Sequence, residues 1–129
     1  KGTKIDCTAR ANFLPILAAV GCYANSDTIL TFKAETNEDR KLAEETVSAF
    51  NAVGGDLEYD GEAIRIKGKC VLRGGGTFNS EDERILIALM LAGTCADNPV
   101  TIETEGKAAE TLKEFIKVFV SLGGIAQVL

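Results

Sequence analysis

The chain has 129 residues, and 46% of them are hydrophobic, which is enough to form the buried core of one domain. A formal net charge of −5 argues against a broad nucleic-acid-binding surface, because such a surface needs clustered Lys and Arg. No signal peptide and no apolar stretch of ~20 residues is recognisable, which argues against a membrane partner and favours a cytoplasmic protein.

The first half of the chain predicts two helices and three strands. Segment 13–24 is apolar on almost every side, which predicts a buried helix, and segment 28–32 is rich in β-forming residues. Apolar residues then recur at steps of three and four over 38–53, which predicts an amphipathic helix ending at a Gly-Gly pair. Segment 56–68 alternates polar and apolar residues around an Asp-Gly turn, which predicts a β-hairpin.

The same order of elements returns in the second half. A buried helix is predicted over 84–96 and a strand over 100–103. The amphipathic helix that follows has an apolar stripe and ends at a second Gly-Gly pair; the stripe consists of Leu112, Phe115, Ile116, Phe119 and Leu122. The buried helices align at a shift of 72 residues, from Gly21 to Gly93, and the amphipathic helices align at a shift of 69.

A repeat of this length is one supersecondary unit copied once. Each unit is predicted to contain a helix, a strand, a second helix and two final strands. The second unit ends in the first of its two final strands, at Val128-Leu129. The fold class is therefore α+β, with one domain over 1–129 and units at about 5–68 and 78–129. We expect the apolar helices to be buried between layers, the amphipathic helices to lie outside, and Arg73-Gly74-Gly75-Gly76 to be a flexible linker.

The four cysteines, Cys7, Cys22, Cys70 and Cys95, have no CxxC spacing, and the chain has no histidine for a mixed zinc site. Because two of them also lie in apolar runs, reduced and packed thiols are favoured over disulfides or a metal site. The chain begins at Lys1 without a methionine, which is typical of a fragment or a processed product.

Three stretches resemble one family. Asp82-Glu83-Arg84-Ile85 resembles the Asp-His-Arg-Ile segment of 3-phosphoshikimate 1-carboxyvinyltransferase, or EPSP synthase. The run from Lys33 to Arg40 resembles that family's Lys-Glu-Ser/Thr-Asp-Arg run, and segment 5–15 resembles the residues before its buried helix. Members of the family have two globular domains, each made of three such units. The chain therefore resembles the C-terminal part of the enzyme, with roughly two units present and a second lobe missing.

The resemblance implies a transferase of aromatic amino-acid biosynthesis. Its partners are two small molecules, because the enolpyruvyl group of phosphoenolpyruvate is transferred to the 5-hydroxyl of shikimate 3-phosphate. No metal or other cofactor is implied. Such a reaction needs cations to hold a phosphate and a carboxylate, a base for the hydroxyl and an acid for the enol carbon.

The resemblance also implies which residues form the site. Arginine suits an anion clamp because its guanidinium donates two parallel hydrogen bonds. The catalytic positions are Asn12, which stands where the family has an aspartate, and Glu35. The implied substrate-binding residues are Lys33, Arg40, Asp82, Arg84 and Lys107.

Several of these positions depart from the family pattern. Asn12 replaces the aspartate base, and a neutral amide does not accept a proton at neutral pH. Glu83 replaces a histidine beside the anion-binding arginine, and Glu110 lies where the family has a lysine, although Lys107 is three residues earlier. The run that ends at Arg40 is three residues longer than the family's run.

Other interpretations remain open. The departures favour a non-catalytic homologue or a structural or ligand-binding domain. A UDP-N-acetylglucosamine enolpyruvyltransferase is a third reading, and the cysteines here do not identify it because that enzyme's cysteine acid lies in its other domain. Without the resemblance, Arg84 is expected only to pair with Glu81 or Asp82 at the surface, and Lys33 and Arg40 to be solvated.

Overall fold

A computed structural model describes residues 3–70, 72–94 and 96–126. These residues form an α+β fold with two small sheets, which confirms the predicted fold class. The helices are α1 Leu14–Tyr23, α2 Asn37–Ala52, α3 Glu83–Gly93 and α4 Gly106–Ser121. The strands are β1 Lys4–Asp6, β2 Thr28–Thr31, β3 Leu57–Tyr59, β4 Ala63–Ile66, β5 Thr77–Asn79 and β6 Thr101–Glu103.

The two sheets repeat one arrangement. The larger sheet has the order β1-β2-β4-β3, in which β1 and β2 are parallel and the other neighbours are antiparallel. In the smaller sheet, β5 and β6 are parallel as well. Asp6 lies opposite Thr31 in the first parallel pair, and Asn79 lies opposite Glu103 in the second. Each parallel pair is thus joined by a crossover that contains one apolar helix.

Sequence patterns did not predict β1 and β5. Each strand is three residues long, and its only partly buried side chain is the middle one, Ile5 or Phe78. An alternation of that length cannot be told from a loop. The two strands matter for function because they carry the chain to the starts of α1 and α3.

Both amphipathic helices end in the same way. The amides of Gly54 and Gly55 donate to the carbonyls of Asn51 and Phe50 at 3.2 and 2.9 Å. The residues 69 positions later make the same two bonds, both at 3.0 Å. The first glycine of each pair has a positive φ, +108° and +97°, which only glycine adopts without strain. The predicted glycine C-caps are therefore confirmed.

The apolar helices pack directly against each other in the centre of the molecule. Leu14 and Cys22 of α1 share one buried core with Ile85 and Leu89 of α3. Side chains from α2 and the larger sheet complete that core, and they include Phe32, Phe50, Ile64 and Ile66. A second, smaller cluster joins α3 to α4 through Leu86, Ala108 and Leu112.

The prediction that α1 is buried on all sides is wrong for one face. Phe13, Ile16, Val20 and Tyr23 are exposed by 60%, 39%, 62% and 38%, and their spacing places them on one stripe of the helix. Tyr23 at the end of the stripe donates its hydroxyl to the Ala92 carbonyl at 2.9 Å, whereas Phe13 and Val20 are the most exposed of the four side chains. Leu122, predicted to belong to the apolar stripe of α4, is 83% exposed because it lies past the end of the helix.

The segment Arg73-Gly74-Gly75-Gly76 is not a free linker as predicted. The Arg73 amide donates to the carbonyl of Val53 at 2.7 Å, and the Asn98 amide donates to the carbonyl of Arg73 at 2.9 Å. Gly74 has a φ of +65°, and a Cβ there would collide with the carbonyl oxygen of Asn98. The segment therefore ties the first unit to the second through backbone hydrogen bonds.

Cys7 and Cys22 are buried free thiols, and Cys70 is a half-buried one. Cys95 and the strand predicted at Val128-Leu129 lie outside the described residues. Within the described ranges, no helix combines the length and the hydropathy needed to cross a bilayer.

The shared core gives a first prediction. Leu89→Ala should reduce the free energy of unfolding by ~2–5 kcal/mol, because Leu89 is fully buried between the units and its loss leaves a cavity. Leu17→Ala should cost less, since Leu17 is only half-buried. Urea unfolding measures both.

Ile16→Ala is the matched control on the exposed stripe of α1, and it should change stability by less than ~1 kcal/mol. An equal loss for Leu89→Ala and Ile16→Ala would contradict a core shared by the two units.

Candidate functional site

The starts of α1 and α3 meet beside an open groove of about 930 Å³. Asn12 precedes α1, Arg84 is in the first turn of α3, and α2 forms the opposite wall. The polar residues that line the groove include Asn12, Lys41, Glu45, Ser80, Asp82 and Arg84. Of the predicted site residues, the structure brings together these three: Asn12, Asp82 and Arg84.

Arg84 is held on two sides. Its Nε and Nη2 donate to the two carboxylate oxygens of Asp82 at 3.0 and 2.7 Å, and its Nη1 donates to Asn12 Oδ1 at 3.0 Å. Because Asn12 and Arg84 lie in different units, this last bond joins them across 72 residues of sequence. The pairing of Arg84 with Asp82, expected from the sequence alone, is confirmed, and the pair is partly buried.

Asp82 has three roles at the start of α3. It is the N-cap residue, and its Oδ1 accepts from the Arg84 amide at 3.0 Å. Its own amide donates to Ser80 Oγ at 3.0 Å, which orders the loop after β5. Its carboxylate also forms the ion pair with the Arg84 guanidinium.

The protonation of this pair follows from its contacts. Partial burial acts to raise the pKa of Asp82, but the hydrogen bonds from the Arg84 side chain and amide outweigh it, so the pKa is lowered. The Asp82 hydrogen bond raises the pKa of Arg84 against the opposing effect of burial. Both groups are therefore charged at neutral pH.

A ligand at this site would find only part of Arg84 available. A guanidinium has five N–H groups. The contacts to Asp82 and Asn12 engage three of them, which leaves one hydrogen on each of Nη1 and Nη2. Since Asn12 accepts through Oδ1, its amide nitrogen remains as a donor, and no group at this position accepts a proton.

Lys33 lies in a separate charged cluster at the end of β1. Its amide donates to Thr8 Oγ1 at 3.2 Å. The pKa of Asp6 is lowered, mainly by the hydrogen bond from the Thr8 amide and further by the nearby charges of Arg10 and Lys33. Lys33 is thus close enough to Asp6 to affect its pKa, and it does not line the Arg84 groove.

Arg40, Glu35 and Lys107 are not brought to Arg84 either. Arg40 lines a second cavity of about 430 Å³, with Tyr59 of the hairpin. Glu35 is exposed before α2, where its amide donates to Asp39 Oδ2 at 3.4 Å. Lys107 is exposed in the first turn of α4.

Sequence reasoning missed several polar residues of the groove, among them Lys41 and Ser80. Lys41 lines it from α2, one position after the arginine that was assigned there. Ser80 is part of the loop after β5, and its carbonyl accepts from Thr104 Oγ1 at 3.2 Å, which connects the loops after β5 and β6. Loops at the carboxyl ends of parallel strands meet at one sheet edge, and this signal was lost because β5 was not recognised.

Within the described residues, no three His, Cys, Asp or Glu side chains are grouped so that they could hold a metal ion. The groove therefore contains two basic side chains, Lys41 and Arg84, beside polar groups and carboxylates.

Comparison with known proteins gives consistent relatives, although no family model matches the chain. A 3-phosphoshikimate 1-carboxyvinyltransferase of Methanococcus maripaludis strain C7 is 27% identical over 132 residues, covering 100% of this chain and 30% of the relative. The protein of that name from Brachyspira hyodysenteriae is 30% identical over 120 residues, covering 92% and 29%. The chain thus spans about 30% of the length of the curated relatives it matches.

Solved structures agree on the fold. The enolpyruvyl transferase NikO from Streptomyces tendae superposes with a TM-score of 0.68 at 21% identity, covering 97% of this chain and 28% of that one. An EPSP synthase from Acinetobacter baumannii has a TM-score of 0.70 at 14% identity, covering 98% and 28%. The resemblance to this family is therefore confirmed in sequence and in fold.

The Asp82–Arg84 pair gives a second prediction. Asp82→Asn keeps an oxygen that can cap α3 but removes the charge, so it should lower stability at neutral pH. A carboxyl whose folded pKa is lowered contributes stability above its unfolded pKa, and that contribution is lost as pH falls through the folded pKa. The stability difference between the two proteins should therefore vanish well below about pH 4.

Denaturant unfolding across this pH range measures the difference. Glu81→Gln is the control, because it makes the same charge change at an exposed neighbour. A difference for Asp82→Asn that is independent of pH, or matched by Glu81→Gln, would contradict the proposed pair.

Proposed function

We propose that this chain is part of an enolpyruvyl transferase of the EPSP synthase type. The whole protein would transfer the enolpyruvyl group of phosphoenolpyruvate to shikimate 3-phosphate. The observation that carries the proposal is the contact of Arg84 with Asn12, because two stretches that resemble separate family motifs meet at one groove. Relatives named for that reaction, aligned over the full chain, support it.

The Asn12–Arg84 corner of the groove suits a small anion, although five carboxylates also line the groove: Glu38, Glu45, Glu81, Asp82 and Glu83. Arg84 still has one hydrogen on each terminal nitrogen, and Asn12 has its amide nitrogen. These groups donate hydrogen bonds, so they would hold a phosphate or carboxylate and stabilise charge on it during the reaction.

The chain on its own lacks groups that the reaction needs. Asn12 provides no base for the attacking hydroxyl. Glu83, in the first turn of α3, adds a negative charge close enough to affect the pKa of Arg84, and Glu110 is an exposed anion on α4. We therefore propose that the isolated chain does not turn over and that the remaining groups come from a second lobe.

The open stripe of α1 supports the need for further structure. At the repeat shift of 72, Phe13, Ile16 and Val20 correspond to Ile85, Ala88 and Ala92 of α3, which lie in the common core. On α3 this face is buried, whereas on α1 it is exposed. In a head-to-tail interface, each unit leaves exposed the face that the next unit would cover, so units are added until a ring closes. We propose that a third unit of the same type covers α1.

One alternative function is supported by specific residues. Asn12 lacks the proton acceptor that the family has at its position, and Glu110 lacks the positive charge that the family has at its position. A homologue that binds the anion without catalysis would tolerate both changes.

A third prediction concerns turnover. Phosphate release from phosphoenolpyruvate and shikimate 3-phosphate should stay at the blank rate, because loss of a general base alone removes a factor of ~10² to 10⁴. Either ligand should raise the melting temperature of the chain little, since half of a shared site binds weakly. Turnover that disappears in Arg84→Ala would contradict the inactivity of the isolated chain.

A fourth prediction separates the enzyme from the non-catalytic alternative. The chain replaces the matching segment of the Methanococcus maripaludis relative, and phosphate release is measured for this chimera and for its Asn12→Asp variant. If the groove is a catalytic site, the carboxylate should raise the rate by at least ~10-fold. Asn12→Gln is the control, and equal rates for Asp and Gln would favour the non-catalytic reading.

A further inference from the structure

Cys22 and Cys70 meet at the carboxyl end of α1, away from the Arg84 groove. The amide of Cys70 donates to the carbonyl of Cys22 at 3.0 Å, and the amide of Lys69 donates to the carbonyl of Ala24 at 2.7 Å. Residues joined by such backbone bonds have Cα atoms roughly 5 Å apart. That spacing lies inside the range of about 4.4–6.8 Å found in disulfides.

The surroundings of the two thiols differ. Cys22 is fully buried, and burial, together with a smaller effect of the neighbouring Cys70 thiol, raises its pKa to about 12. Cys70 is half-buried, and its Sγ donates to the carbonyl of Lys67 at 3.0 Å. The pair therefore contains one thiol that solvent reaches and one beneath it.

We propose that Cys22 and Cys70 form a reversible disulfide, so that the end of α1 is a dithiol site for low-molecular-mass disulfides such as glutathione disulfide. The backbone contact brings the two residues to a Cα spacing that suits a disulfide. Disulfide formation also requires the Cys70 side chain to leave the Lys67 carbonyl and turn toward Cys22.

The reaction balances as two exchanges. The Cys70 thiol loses its proton to water, and the thiolate attacks one sulfur of glutathione disulfide, whose S–S bond breaks and whose released thiolate takes up a proton. Cys22 then loses its proton and attacks the Cys70 sulfur, and the second glutathione leaves as a thiol. The protein loses two protons and two electrons, and glutathione disulfide is reduced to two thiols.

The second exchange should be the slower one. Cys22 must deprotonate while buried, and its thiolate fraction is small at neutral pH. A mixed disulfide on Cys70 should therefore appear first and then convert into the internal disulfide.

The disulfide would fix the junction between the two units. Segment 67–70 follows β4 and lies against the last carbonyls of α1, and it leads into the glycine segment that contacts Val53 and Asn98. A Cβ at Gly68 would collide with the carbonyl oxygen of Ser26, so the chain already runs against the turn after α1. Oxidation would add a covalent link to the backbone hydrogen bonds at this contact and would remove the bond from Cys70 Sγ to the Lys67 carbonyl.

The test uses the folded 129-residue chain. It is incubated with glutathione disulfide in native buffer, and its intact mass, free thiol count and peptide map are followed with time. The expected result is a transient glutathione adduct, then a product lighter by two hydrogens whose peptide map links Cys22 to Cys70. Reduced glutathione should reverse the change.

Variants separate this pair from other thiols. Cys70→Ser should abolish the product, Cys22→Ala should stop the reaction at the mixed disulfide, and Cys7→Ala should leave the product unchanged. Circular dichroism verifies that each variant is folded. A stable mixed disulfide in the unsubstituted chain, a linkage to Cys7 or Cys95, or a Cys22–Cys70 linkage formed only in denaturant would overturn the proposal.

Discussion

The direct packing of α1 against α3 is the contact on which the rest of the structure depends. It places the two units in one core, with Leu14 and Leu89 both buried. It also brings the starts of the two helices together, so that Asn12 reaches Arg84. The other side of α1 packs closely against β4, because a Cβ at Gly21 would lie 2.8 Å from Ile66 Cδ1. Hydrophobic packing thus determines where the polar site forms.

The electrostatics of the groove explain why it could hold an anion and why it would hold one weakly. Asp82 keeps Arg84 charged and orients it, at the cost of two of the guanidinium hydrogens. The side-chain oxygen of Asn12 accepts a third guanidinium hydrogen. An anion would therefore meet only two guanidinium hydrogens of Arg84, one on each terminal nitrogen, instead of five. Donors from elsewhere in a longer protein would be required for tight binding.

Local features of the fold were predictable, and non-local ones were not. Helix ends at Gly54 and Gly123 and the Asp60-Gly61 hairpin depend on a few adjacent residues, so the sequence patterns locate them. The exposed stripe of α1 was misjudged because hydrophobicity does not say which neighbour covers a face. Arg40 lines the second cavity rather than the Arg84 groove. The run before it is three residues longer than the family's run, so its match to the family's arginine could not be determined from the sequence.

The Asn12–Arg84 anion site is tested most directly by a chemical-shift titration of the isotopically labelled chain with phosphoenolpyruvate. The largest changes at millimolar ligand should occur at the amides of Asn12 and of residues 80–84, and Arg84→Ala should abolish them. Changes centred instead on Arg40 and Tyr59 in the second cavity, or shifts at 80–84 that persist in Arg84→Ala, would contradict this anion site.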